Sequence, residues 1–201
     1  MIIDARRLRR PIVILIALGL LSAVAVRTHW VQRAMNPLRF VEPITLNSRR
    51  FGVDPFLVSA IIRVESRFRI EARSPKGAVG LMQIMPETGR WAAEALGIGD
   101  YTDAVLLDPA TNIMIGTWYL SWLRGEFDGS LPLMLAAYNG GPKHVARWVR
   151  EGIWSGEFED SRQIPFAETA RYVVRVIDAY TRYRQVYRAR WPGGEIDLSR
   201  W

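Results

Sequence analysis

The stretch DPFLVSAIIRVESRF, residues 54–68, decides the fold. Asp54 supplies a capping oxygen and Pro55 occupies the first helical position, so a helix begins here. Leu57, Val58, Ile61 and Ile62 then fall on one face by helical spacing, and Glu65 lies above them on the same face. That face must meet a core, so the carboxyl of Glu65 projects from a wall where an ionised group needs compensation. Two readings follow. Desolvation lifts the pKa and makes Glu65 an acid that holds its proton near neutrality. Alternatively, Glu65 is a helix-end glutamate turned to solvent or paired with a neighbour such as Arg63 or Arg67. Helix spacing alone leaves both open.

Outward from this helix the same punctuation repeats. Asp108-Pro109 opens ATNIMIGTWYLSWLRGEF, Pro86 opens ETGRWAAEAL, and Gly97 stands where a left-handed C-terminal cap belongs. SLPLMLAAYN (130–139) is a short apolar helix ended by Gly140, Gly141 and Pro142. KHVARWVREG continues as another, and Pro165 introduces FAETARYVVRVIDAYTRYRQVYR with Val173, Ile177 and Tyr180 as an apolar stripe. Strand-like alternation is scarce. The expected fold class is all-α, one lobe with short connections. Residues 98–105 and 152–164 are where a small strand excursion has room.

The chain of 201 residues is long enough for one real core and too short for much of a second domain. Hydrophobic residues make up 49% and charged residues 23%, a globular balance that excludes disorder. Cysteine is absent, which removes disulfides, thiolate metal sites and a cysteine nucleophile. The net charge is +7, but four arginines against one aspartate in residues 1–25 hold three of those charges. The rest is spread out, with no basic block interleaved with aromatics, so nucleic acid is not the expected partner. An anionic envelope polymer or membrane surface fits the surplus at least as well.

Residues 1–26 form a leader of their own. MIIDARRLRR precedes the uninterrupted apolar run PIVILIALGLLSAVAV (11–26), the pattern of an export signal. Ala23-Val24-Ala25 resembles a small-residue cleavage site. A retained anchor in the inner membrane is the competing reading, though a full span needs about 20 apolar residues. Positive charge before the run puts the N-terminus in the cytoplasm and the bulk outside it. Residues 27–45 are expected to be a linker, residues 46–190 the functional domain and residues 191–201 a tail.

Glycines 77, 80 and 89 bracket GAVGLMQIMP, which carries no charge, and they permit a backbone to approach a ligand closely. Gln83 within it can hydrogen-bond sugar hydroxyls or amides. Four blocks now stand in order: VESRF, SPKGAVGLMQIMPETG (74–89), AAYNGGP (136–142) and IPFAETARYV (164–173). Together they resemble the catalytic domain of the soluble-lytic-transglycosylase type, which is similar to goose-type lysozyme. The resemblance spans roughly residues 40–190, the size of an ordinary domain.

This resemblance implies cleavage of peptidoglycan glycan strands without cofactor or metal. It implies Glu65 as the sole acid and base, with Tyr138 beside it. Ser74 matches a serine that aids positioning, and Gln83 and Met85 match residues lining the saccharide groove. Asn139 matches the neighbour of the tyrosine, while Glu168 and Tyr172 match a glutamate and an aromatic facing the cleft. Glu168 is also placed to complement the dipole of the final helix. A muramidase that uses water, and a non-catalytic peptidoglycan-binding scaffold, remain open alternatives. His29 and His144 lack metal-ligand spacing. Oligomeric state has no sequence signal.

Overall fold

The computed structural model describes residues 5–27, 29–187 and 190–195. They divide into two units, one ending at Pro37 and the other beginning at Leu38. The first unit holds α1 (Ala5–Arg27) and α2 (His29–Met35). The apolar run of the leader is helical within α1, and it exposes Ile14, Leu15, Leu18 and Leu21. No helix among the described residues is long and apolar enough to cross a membrane. The side chains of the leader arginines and of His29 lie outside the described residues, as does the tail from residue 196.

The second unit is all-α, and no strand occurs among the described residues. It starts inside the stretch expected to be a linker, because α3 (Val41–Phe51) packs on the core, burying Ile44 completely. Next come α4 (Pro55–Glu65), α5 (Pro86–Leu96), α6 (Pro109–Glu126), α7 (Leu131–Gly140), α8 (Pro142–Arg150) and α9 (Ala167–Val186). No strand forms at 98–105 or 152–164. Asp103–Leu107 and Ser161–Gln163 are single 3-10 turns instead. A lone strand there would leave its backbone groups unpaired, whereas the turn pairs them locally, Val105 N–H to the Thr102 carbonyl at 3.0 Å.

α4 begins as its sequence dictates. Asp54 Oδ1 accepts from Phe56 N–H at 2.8 Å, and Pro55 follows at the first position. Leu57, Val58, Ile61 and Ile62 are all fully buried. The helix packs mainly against α9, which presents Tyr172, Val173, Val176, Tyr180 and Tyr183 inward. Ile177 is only half-buried, so the stripe is rotated slightly from the one read in the sequence.

Buried Asp54 also ties the two helices, since Tyr180 Oη donates to its Oδ2 at 2.7 Å and Arg184 stands 3.6 Å away. Asp54→Ala therefore removes a helix cap and leaves the Tyr180 hydroxyl, which still accepts from Arg184 at 3.0 Å, without its acceptor. We expect a stability loss of about 2–4 kcal/mol, read as a lower urea midpoint at unchanged m-value. A midpoint within a few tenths molar of the parent would contradict this role.

After Glu65 the chain turns abruptly. Ser66 Oγ donates to the Ile62 carbonyl at 3.0 Å, and Arg67 and Phe68 adopt left-handed backbone, φ 52° and 61°. Residues 69–85 then fold as a loop held by two isolated antiparallel bridges, Arg73 to Val79 and Val79 to Ile84. Asn112, buried on α6, anchors this loop. Its Oδ1 accepts from Met82 N–H at 2.8 Å, and its Nδ2 donates to the carbonyls of Val79 at 3.0 Å and Leu106 at 2.8 Å. The loop is thus a rigid wall beside the end of α4.

Candidate functional site

Glu65 is the last residue of α4, half-buried, where that helix meets α9 and the anchored loop. Burial raises its pKa to about 7. The Tyr172 hydroxyl and the positive charge of Arg175 pull it down, and the negative charge of Glu168 adds to the rise. Desolvation is the largest of these effects, so the carboxyl holds its proton in about half the molecules near neutral pH. Of the two readings left open by helix spacing, the structure matches the first.

α9 supplies three of these influences from one face. Glu168, Tyr172 and Arg175 are spaced four and three residues apart, so they line up along the helix. Tyr172 is buried, and its hydroxyl meets no partner at good hydrogen-bond geometry among the described residues. It nevertheless lies near enough to Glu65 to lower the carboxyl's pKa. The contact is a loose one, which agrees with burial outweighing it. Arg175 donates to the Val64 carbonyl at 3.3 Å, covering one of the open carbonyls at the C-terminal end of α4.

Tyr138, on α7, is half-buried with its ring parallel to that of Tyr172, centroids 6.4 Å apart. Its hydroxyl donates to the Met82 carbonyl at 2.8 Å, which fixes the phenol against the loop. Burial, then the charge of Glu65, raises the Tyr138 pKa well above the ordinary value, so the group stays a neutral phenol. Tyr172 is raised in the same way and for the same leading reason.

The other residues singled out in the sequence surround this centre in different ways. Ser74 Oγ accepts from Ala78 N–H at 2.9 Å and closes the loop's first turn. Gln83, with left-handed backbone at φ 48°, donates its amide nitrogen to the carbonyls of Ala72 at 3.0 Å and Gly80 at 2.9 Å. That leaves only its amide oxygen for anything outside the loop. Met85 is exposed at the start of α5. Asn139 accepts from Thr169 Oγ1 at 2.8 Å.

Glu168 pairs with Lys76 at 2.7 Å across the opening, and both are exposed. This pair, Asn139, Phe166 and Thr169 line a cavity of about 550 Å³. Among the described residues no cluster of His, Cys, Asp or Glu could hold a metal ion. His144 packs edge-on against Phe166 at 5.1 Å.

Several contributors escaped sequence reasoning. Arg175 could have been found from its spacing to Glu168 and Tyr172. Asn112 and the Met82 carbonyl could not, because the first is distant in sequence and the second is backbone. A row of aromatic rings also runs from Tyr138 through Tyr119 to Trp91 and Trp122, joining three helices.

The chain is similar to known proteins in sequence and in fold. The chain is 39% identical over 153 residues to the soluble lytic murein transglycosylase of Salmonella typhimurium, across 73% of this chain and 23% of that protein. It is 32% identical over 186 residues to the membrane-bound lytic murein transglycosylase C of Actinobacillus succinogenes, across 82% of this chain and 51% of the relative. The chain thus spans about a quarter of the one relative and about half of the other. Its structure superposes with a TM-score of 0.72 on an inactive variant of the lytic transglycosylase Slt from Pseudomonas aeruginosa, at 32% identity over 81% of this chain and 26% of that one. In that variant a glutamate is replaced by glutamine. The family described as the Transglycosylase SLT domain matches residues 42–160, and the chain belongs to it.

Proposed function

We propose that the chain is a peptidoglycan lytic transglycosylase. It cuts the β-1,4 bond between N-acetylmuramic acid and N-acetylglucosamine and leaves a 1,6-anhydromuramoyl end. The observation that carries this reading is Glu65, whose burial lifts its pKa to about 7 beside two neutral tyrosines. The one other acid whose charge acts on it, Glu168, is paired with Lys76. Two-carboxylate glycosidases need a second acid as base or nucleophile. A site with a single acid of raised pKa suits a reaction in which that acid first donates a proton and then takes one back.

Protonated Glu65 gives its proton to the bridging oxygen as the bond to the muramoyl C1 breaks. The substrate's own N-acetyl group stabilises the positive charge at C1, as in substrate-assisted glycosidases. Glu65, now a carboxylate, removes the proton of the muramoyl C6 hydroxyl, whose oxygen closes onto C1. No water enters, and Glu65 ends protonated as it began. Tyr172 and Arg175 temper the rise of its pKa, which keeps the carboxylate accessible for the second half.

Tyr138 holds the loop wall through Met82, while Ser74, Gln83, Met85, Asn139 and Glu168 contribute to the saccharide groove. In this reading residues 46–190, together with the start of α3 before them, are the cutting domain, the linker is shorter than 27–45, and residues 191–201 follow as a tail. Residues 11–26 deliver it to the outer side of the inner membrane, as a cleaved signal or a retained anchor. The names of both relatives, one soluble and one membrane-bound, support an envelope location.

The test is release of soluble muropeptides from purified sacculi by the protein lacking its leader. Activity should be greatest where Glu65 keeps its proton and should fall as pH rises through about 7. No release at any pH would overturn the reading in favour of a binding scaffold. Tyr138→Phe removes the donor to the Met82 carbonyl and is expected to lower kcat by about 10- to 100-fold without abolishing it. An unchanged kcat would show that the site does not need this contact.

A further inference from the structure

The aromatic row leads away from the acid to a surface that the proposed reaction does not use. Tyr138 touches Tyr119 at 5.5 Å between ring centroids, and Tyr119 touches Trp91 at 6.1 Å, edge to face. Trp91 in turn packs edge-on against Trp118 at 4.7 Å and Trp122 at 4.9 Å. Trp91 is 38% exposed, and both supporting indoles are half-buried. Three adjoining tryptophans at a surface are more than α5 needs in order to sit on α6. Gly89, Ala92 and Ala93 already form its buried face. Unless something covers them, large rings left partly in water cost free energy.

We propose that Trp91, braced by Trp118 and Trp122, is a stacking platform for a pyranose ring of the glycan strand, two sugar units or so from the bond being cut. The inference rests on the glycan-cleaving reading above and extends its groove. A pyranose has an apolar C–H face and a polar rim of hydroxyls, and the surroundings of Trp91 match both. The indole offers an apolar face. Glu87 and Glu94, four residues before and three after Trp91, are exposed on the same side of α5 and can accept from the hydroxyls. The two ring-to-ring steps from Tyr138 are comparable with the reach of two sugar units. A membrane surface fits less well, because interfacial helices surround their aromatics with lysine and arginine. Here Arg90 stands against two glutamates.

The test uses the chain without its leader, with peptide-free N-acetylglucosamine oligomers of graded length for binding and peptide-free murein glycan strands of graded length for turnover. In the Glu65→Gln background, long oligomers should change the tryptophan fluorescence, and Trp91→Ala should remove most of that change. In the active enzyme, Trp91→Ala should raise KM for long strands about tenfold while kcat falls less than twofold. Trp91→Phe should restore most of the affinity, and the effect should vanish for oligomers too short to reach the platform.

An unaltered KM with long strands overturns the platform, whether or not the variant melts at a lower temperature. So does a fall in kcat at constant KM. Loss of binding to anionic lipid vesicles with full glycan binding retained would assign the tryptophans to a membrane instead. A parent enzyme that cuts no strand at all refutes the proposed reaction. The platform is then judged by the fluorescence titration alone, and absence of any change with long oligomers refutes it too.

Discussion

Glu65→Gln is expected to lower turnover of murein by at least about 1000-fold while the protein stays folded. Glutamine keeps the shape of the side chain but can neither give a proton to the bridging oxygen nor take one from the C6 hydroxyl. Both halves of the proposed reaction therefore fail together. The same substitution should stabilise the fold at alkaline pH. The pKa of Glu65 is raised from 4.5 to about 7 in the folded protein, mainly by burial. The folded state thus binds the proton more tightly than the unfolded chain does. The associated stability is complete below pH 4.5 and is lost as pH rises through about 7. Glutamine does not titrate, so the variant escapes that loss. Its advantage should grow from nothing near pH 4.5 to about 3 kcal/mol at pH 8, measured by chemical denaturation at both pH values. Equal pH dependence in parent and variant would mean that the carboxyl is not buried as described. A large gain in stability with loss of activity is what a site held in an unfavourable environment for its chemistry should give.

Gly80→Ala is the second substitution with a large expected effect. Gly80 has φ +81°, a conformation that side-chain-bearing residues rarely adopt. A Cβ there would also run into the Asn112 side chain and the Leu106 carbonyl. Asn112 anchors the loop to α6 through Met82 N–H and the Val79 carbonyl, and the Leu106 carbonyl is held by the same amide. Backbone strain and overpacking add, so a loss of about 3 kcal/mol or more is expected. Displacing Asn112 would also release Met82, and with it the acceptor of the Tyr138 hydroxyl. Activity should fall even at temperatures where the variant remains folded. Gly77→Ala is the control. Its φ is +91° but nothing lies within 4 Å of the added carbon, so only the strain of about 1 kcal/mol remains. If the two variants melt together, the close approach at Gly80 does not matter and the loop is not clamped as the structure indicates.

What the sequence made legible is mostly local. The cap at Asp54, the turn of apolar residues through Ile62 and the place of Glu65 above them follow from spacing and capping. The left-handed Gly97 and the Asp108 cap follow in the same way, and both are present. Whether Glu65 is solvated or buried was not local. It depends on α9, more than a hundred residues away, closing over the end of α4. The blocks around AYN and IPFAETARYV pointed to those partners only through resemblance, since no rule of spacing relates α7 to α4.

Backbone groups leave no trace in residue identity, and this is why Met82 was missed while Tyr138 was found. Gln83 shows the converse. Its amide suggested a sugar contact, yet its nitrogen is committed to holding two loop carbonyls. The small strand excursion for which 98–105 or 152–164 had room does not form, because no strand among the described residues is there to pair with it.

The most direct test of the account is to digest purified murein in water enriched in oxygen-18 and weigh the new muramic acid ends. If Glu65 returns its proton through the C6 hydroxyl, those ends are 1,6-anhydro, one water lighter than a reducing sugar and free of label. New ends that are reducing and carry the heavy oxygen would contradict it, and would make the protein a hydrolase that uses the same acid.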